Sequence, residues 1–264
     1  MTTGSYFLGG HDLEMCEIAR VLQLHGCHLV DRHLSWSQAR FAAYEPEIRD
    51  AIRRGARPVL VELSGIPDDV RPLVDVIDHH GPSSGSMPSS LDQVLQRLGV
   101  TPTREQQLIS ANDRGHIDAM LEIGATPDEV ARLRRADRQA QGISEEEERE
   151  AEAAIALFDT STPALTVVRL PHSRTATVVD RLHRAAGGPG FRSLLVECPR
   201  EANFFGNGAT IEILSRRFGG YSGGMLPARG FWGLENVDAD DKKQIEMLVR
   251  ESVSAAEVAG ILRT

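Results

Sequence analysis

The chain has 264 residues, 41% hydrophobic and 25% charged, with a formal net charge of −9. That length suffices for a full core in one or two domains, and no apolar run approaches the ~18 residues of a membrane span. The acidic balance disfavours a chain that coats nucleic acid non-specifically, because such binding rests on cations. Three cysteines, Cys16, Cys27 and Cys198, odd in number and without CxxC spacing, argue against a disulfide framework and against a thiolate zinc site.

The N-terminus MTTGSYFLGG has neither a basic stretch nor a long apolar core, so a secretory signal is not expected and the cytoplasm is the expected compartment, with no membrane partner. SYFLGG (5–10) reads as a strand closed by glycines, and residues 13–26 carry apolar positions at helical spacing. HLVD (28–31) is a second strand. Ser35 with Gln38 three residues on forms a capping box, which predicts a helix running to about Gly55. PVLVELSG (58–65) and PLVDVID (72–78) are further strands. Strands alternating with helices predict a parallel sheet covered on both faces.

From 90 to about 157 the pattern is helical, with caps expected at Thr103 and Thr126, and SEEEEREAEAA (144–154) reads as a solvated helix face. The pattern stops at DTSTPA (159–164). LTVVRL (165–170) opens a second series: a helix near 174–186, a strand over 192–198, a helix near 209–218 and a glycine-rich loop, GGYSGGMLPARGFWG, over 219–233. The expected division is an α/β domain over 1–125, a helical connector over 126–160 and a smaller α/β domain over 161–264, with a cleft between the domains. Residues 161–233 hold nine arginines against four carboxylates, a local charge of +5, so the remainder carries −14. An acidic half and a basic half suit carboxylates that hold cations and arginines that hold an anion.

Four places put carboxylates or histidines at predicted strand ends or in the loops that follow. They are His11, Asp12 and Glu14 in GGHDLEM; Glu62 in VELSG; Asp78, His79 and His80 in VIDHH; and Asp113 in ANDRGHID. Ends of parallel strands share one edge, so these groups can converge there. Oxygen donors with one or two imidazoles suit Mn²⁺ or Mg²⁺, and two such ions about 3.5–4 Å apart serve phosphoryl displacement. Each piece also has a structural reading. Asp12 would cap the following helix, Glu62 would pair with a buried arginine, and Asn112–Gly115 would be a turn.

Taken in order, Asp12-Leu13-Glu14, Glu62, Asp78-His79-His80, Ser89-Ser90 ahead of LDQVLQRLG, Asp113-Arg114-Gly115 and the glycine-rich RFGGYSGGMLPARGFWG resemble the motifs of the DHH phosphoesterase superfamily. The resemblance implies that Asp12, Glu14, Glu62, His79 and Asp113 ligate two Mn²⁺ or Mg²⁺ ions, with Glu62 bridging and His11 a further candidate ligand. His80 would donate to a phosphoryl oxygen and Asp78 would orient a histidine. Gly219, Gly220, Gly223, Gly224 and Arg229 would take the substrate phosphate, with His172 and Arg174 as additional substrate contacts. The implied activity is hydrolysis of a small phosphorylated substrate, such as a short oligonucleotide or a nucleotide-like phosphodiester, and short single-stranded nucleic acid is a further candidate partner. The chain departs from the family pattern in three places. Leu8 stands at the position of the family's first histidine, glutamate replaces aspartate at 14 and 62, and the glycine loop lacks its histidine. These departures imply an alternative, a catalytically silent nucleotide-binding module.

Overall fold

The computed structural model describes residues 4–79, 87–162, 164–224 and 226–258. Two units meet in sequence at 142/143. In the first, β1 (Ser5–Leu8), β2 (His28–Val30), β3 (Val59–Val61) and β4 (Asp75–Ile77) form a sheet of order β2-β1-β3-β4 in which every neighbouring pair is parallel. Tyr6, Phe7 and Leu8 are all buried, as are the three residues of β3. That is the pattern of strands covered on both faces. Phe7 and Leu60 pack with Phe41, Tyr44, Ile48, Leu63, Val70 and Val74 in one core. Helices α1 (Leu13–Leu24), α2 (Glu45–Arg53), α3 (Ser90–Leu98), α4 (Arg104–Glu122) and α5 (Pro127–Ala140) complete the unit, with α1 packed against α3, α4 and α5.

The helix expected over 35–55 is interrupted. The Ser35/Gln38 capping box is present, but it opens only a single 3-10 turn, Trp36–Gln38. The chain then runs beside β3 through the bridge Arg40↔Ser64 before α2 starts at Glu45. Pro46 explains the late start: it has no N–H to donate to residue 42 and its ring clashes one turn back, so it is tolerated only in a first turn.

The second unit contains α6 (Glu145–Ala156), β5 (Asp159–Thr162), β6 (Leu165–Arg169), α7 (Ala176–Leu182), β7 (Ser193–Glu197), β8 (Glu201–Asn207), α8 (Gly208–Phe218), β9 (Tyr221–Gly223), β10 (Arg229–Glu235) and α9 (Ala239–Val258). The sheet order is β5-β6-β7-β8-β10-β9, with β6 and β7 parallel and the other pairs antiparallel. Leu195, Phe204 and Trp232 face Ile211 and Leu214 of α8 and Ile245, Val249 and Val253 of α9. Val168, Leu194 and Val196 face Ala151 of α6 and Val178 and Leu182 of α7.

The segment expected as a connector, 126–160, is shared between the units. α5 packs on α1 and α4, while α6 packs on α7 and β6. The loop expected over 219–233 is in part a hairpin, β9 to β10. Two of its glycines lie under aromatic rings: a Cβ at Gly223 would meet the Phe231 ring at 2.8 Å, and one at Gly233 would meet Tyr221 at 2.3 Å. Both are directly opposed cross-strand pairs, in which a ring shields a glycine backbone that lacks its own side chain. Among the described residues no helix is long and apolar enough to cross a membrane.

Candidate metal centre

The parallel sheet brings the carboxyl ends of all four strands of the first unit to one edge. Beyond β1, Asp12 caps α1, its Oδ1 accepting the Met15 N–H at 2.9 Å. The structural reading of Asp12 therefore holds, and it anchors the turn that carries Glu14 inward. Glu14 is 2% exposed, and its Oε1 accepts the Leu91 N–H at 2.8 Å. Glu62 directly follows β3 with φ of 53°, a left-handed backbone unusual for glutamate. Its N–H donates to the Ile77 carbonyl at 2.8 Å, and Ser90 Oγ donates to its Oε1 at 2.6 Å. Gly9 makes room for this turn, since a Cβ there would lie 2.4 Å from the Glu62 carbonyl oxygen.

His79, beyond β4, closes the group. Its Nε2 is 3.0 Å from Asp113 Oδ2 and its Nδ1 is 3.8 Å from Glu62 Oε1. One donor atom from each of Glu14, Glu62 and His79 lies within 4.8 Å of the others. Asp113 departs from its expected setting. It lies inside α4 rather than in a turn, just ahead of a kink at Gly115 (φ −160°, ψ 22°) and His116 (φ 59°, ψ −145°). Asn112 beside it belongs to a buried network in which Arg134 Nη1 donates to Asn112 Oδ1 at 2.9 Å and to Asp137 Oδ2 at 2.6 Å. Asp137 Oδ1 also accepts from Leu13 N at 3.4 Å, which ties α5 to the start of α1. Arg134 and Asp137 carry no sequence signal of this role, because an arginine and an aspartate on an amphipathic helix read as its wet face.

Electrostatics sets the chemistry of this group. Burial pushes the Glu62 carboxyl up to about 8, with the charges of Asp113, Asp12 and Asp78 adding to the rise and the Ser90 hydrogen bond opposing it. Burial, then the charge of Glu62, raises Glu14, and burial, then the charges of Glu14 and Asp12, raises Asp113. Carboxylates crowded in this way require either protons or a cation. Among the described residues Glu14 Oε2 is buried without a hydrogen-bond partner. An oxygen-rich set with one imidazole, an orphaned buried oxygen and mutual repulsion fits a hard divalent cation such as Mn²⁺ or Mg²⁺.

Asp78 is half-buried beside the group, its backbone carbonyl accepting from Gln93 Nε2 at 3.3 Å. His80 lies outside the described residues. His11 converges with Asp31 and His33 rather than with Glu14, Glu62 and His79. The Asp31-Arg32-His33 stretch follows β2, so the strand-end rule that points to the other sites points here as well.

In the second unit the proposed substrate residues are dispersed. Gly219 and Gly220 sit beside Trp232 and Gly233. Gly224 approaches Gly230, next to Arg229, about 10 Å from Gly233 along β10 at ~3.3 Å per residue. Gly219, Gly220 and Gly224 do have positive φ. Arg229 lies over the Phe191 ring, 5.3 Å from its centroid, and pairs in register with Asn207, the N-cap of α8. His172 Nε2 is 2.9 Å from the Glu147 carbonyl and its Nδ1 accepts from Arg174 N at 3.1 Å, while Arg174 Nε is 3.4 Å from Glu147 Oε1. Much of the apparent basic excess is also paired: Arg169 with Glu197 and Glu246, Arg181 with Glu148 and Glu152, and Arg216 with Glu212.

Fold and site together define a two-unit α/β chain with a buried acidic and histidine centre at one edge of a parallel sheet. No family model and no curated protein matches the sequence. Solved structures similar to it include the pGpG-specific phosphodiesterase PggH from Vibrio cholerae, at 12% identity and a TM-score of 0.48, over 97% of this chain and 99% of that one. The Mn²⁺ complex of RecJ from Thermus thermophilus has 12% identity and a TM-score of 0.47, over 95% of this chain and 52% of that one. A manganese-bound exonuclease RecJ has 14% identity and a TM-score of 0.41, over 95% of this chain and 90% of that one.

Proposed function

We propose that the protein is a divalent-metal-dependent phosphoesterase acting on a small phosphorylated substrate, most simply a short oligonucleotide or a nucleotide-like phosphodiester. The observation that carries this reading is the convergence of Glu14, Glu62, His79 and Asp113, four residues from four chain segments, into one carboxylate-rich group whose carboxyls are raised by burial and mutual repulsion. The chemistry that Mn²⁺ or Mg²⁺ supplies in such a setting is stabilisation of phosphoryl oxygens and acidification of water. The chain's own residues would hold the ions and orient the donors. Glu62 would bridge, its one fixed oxygen set by Ser90 Oγ. Glu14 would be aimed by the Leu91 N–H. Asp12 would contribute from the first turn of α1, and Asp78 would steer the adjacent histidines. The Asp78-His79-His80 signature supports a role for His80 as a hydrogen-bond donor to a substrate phosphoryl oxygen.

Arg229 and the glycines beside it, Gly223 and Gly224, would take a substrate phosphate in the second unit. A guanidinium held by a ring and adjacent to the N-terminal end of α8 is a setting that favours anions. A second reading, a nucleotide-binding module without catalysis, is favoured by Leu8, which occupies the place of the family's first histidine and is completely buried. One experiment separates them. The protein is incubated with Mn²⁺ and linear dinucleotides such as pGpG, and with bis(p-nitrophenyl) phosphate, beside the Asp113→Asn variant. Hydrolysis that is lost in the variant supports the enzyme, while metal and dinucleotide binding without turnover supports the module.

A further inference from the structure

A second donor group stands at the same sheet edge, built from residues that the buried centre does not use. His11 follows β1, and Asp31 and His33 follow β2. The two imidazoles are edge-on, with centroids 4.5 Å apart and planes at 82°. His33 Nδ1 faces His11 Nδ1 at 3.0 Å and Asp31 Oδ2 at 3.4 Å. One donor atom from each of the three lies within 4.8 Å of the others. Three ligands of a tetrahedral ion with ~2.0–2.1 Å bonds stand ~3.3 Å apart, and the two measured separations bracket that spacing.

The group is also held in place. His33 has φ of 49°, a left-handed backbone that a bulky residue adopts only when its surroundings impose it. Asp31 Oδ1 imposes it by accepting the His33 N–H at 2.8 Å, which leaves Oδ2 turned toward the imidazole. On the other side, Cys16 Sγ lies 3.8 Å from His11 Nε2. An Nε2–H directed at that sulfur places the Nδ1 lone pair toward His33 and Asp31, the arrangement by which a neighbour fixes the tautomer of a metal-binding histidine. The His33 side chain is 66% exposed, so the fourth position opens to water.

We propose that His11, Asp31 and His33 form a separate site for a borderline transition ion of the zinc class, with three protein ligands and one solvent position. Two imidazoles and one carboxylate select such an ion, whereas the carboxylate-rich centre of Glu14, Glu62 and Asp113 selects a harder one. The site does not depend on the phosphoesterase reading, since none of its three donors belongs to the buried group. The rival account is a hydrogen bond between the two imidazoles with no ion.

The full chain, stripped with EDTA, is titrated with Co²⁺ while the visible absorption of a four-coordinate nitrogen and oxygen shell is followed, and Zn²⁺ is then added in competition. The expected result is one equivalent of absorbing Co²⁺ displaced by Zn²⁺, with the band lost in His33→Ala and in Asp31→Asn. Mn²⁺ binding, followed by electron paramagnetic resonance, should be unchanged in both variants and reduced in Asp113→Ala. Both His33 and Asp31 lie outside the core, so loss of the band can be checked against unchanged circular dichroism. Absence of the band in the unmodified protein, or its persistence in His33→Ala, overturns the proposal. Loss of Mn²⁺ binding with retention of the Co²⁺ band in the unmodified protein would instead count against the buried centre alone.

Discussion

Replacing Glu62 with Gln tests whether the buried centre lacks positive charge of its own. The Glu62 carboxyl is held at about 8 against an ordinary 4.5, a difference of ~3.5 units, or about 5 kcal/mol at 1.36 kcal/mol per unit. The folded protein binds this proton more tightly than the unfolded chain. Stability therefore falls as pH rises from 4.5 through about 8, and the loss is complete above that. Between pH 6 and pH 9 the cost grows by about 3 kcal/mol, equivalent to roughly 6–12 °C in Tm for a unit of this size. Glutamine is neutral and keeps a carbonyl for the Ser90 hydroxyl, so the variant should lack this slope. The assay is thermal unfolding of EDTA-treated protein at pH 6 and pH 9, with the wild type falling relative to Glu62→Gln by that amount. Mn²⁺ at a hundredfold excess over its Kd should restore about 2.7 kcal/mol to the wild type at pH 9 and much less to the variant. Parallel pH curves for the two proteins would refute the account of the centre as a site of uncompensated charge.

Asp113→Ala and His79→Ala should each lower bound Mn²⁺, read by metal analysis after dialysis, with far-ultraviolet circular dichroism unchanged, because neither side chain, one in α4 and one beyond β4, is part of the apolar core. Arg229→Ala should weaken binding of a dinucleotide about tenfold or more, the worth of a charge-assisted hydrogen bond of roughly 1.5–3 kcal/mol, while metal content stays constant. A variant that loses metal but binds dinucleotide normally would contradict that assignment. Gly9→Ala should destabilise the first unit by about 1–3 kcal/mol in urea, since the new Cβ would fall 2.4 Å from the Glu62 carbonyl, and it should also impair Mn²⁺ binding by displacing Glu62.

The sequence by itself determined those features whose causes are local. Short apolar runs closed by acids and histidines mark β1, β3 and β4 with Asp12, Glu62 and His79 beyond their ends; β1 and β3 are covered on both faces and change character where they leave the sheet, whereas the edge strand β4 carries Asp75 and an exposed Val76. The caps at Thr103 and Thr126 were legible for the same reason: each hydroxyl bonds to an N–H three residues away. Tertiary structure decided the rest. Gly223 and Gly233 look like loop residues until Phe231 and Tyr221 cover them from the opposite strand. Asp113 looks like a turn residue, yet it belongs to a kinked helix whose inner face is fixed by the buried Arg134–Asp137 pair. Arg169, Arg174 and Arg181 of the basic half are paired with glutamates of α6 and α9, which lie outside that half in the sequence. His11 stands one residue before Asp12 but turns to His33, whose left-handed backbone is set by Asp31. Charge and burial act through space over a few ångströms, so which acids share a site, and which are merely neighbours in the chain, follows from packing rather than from order.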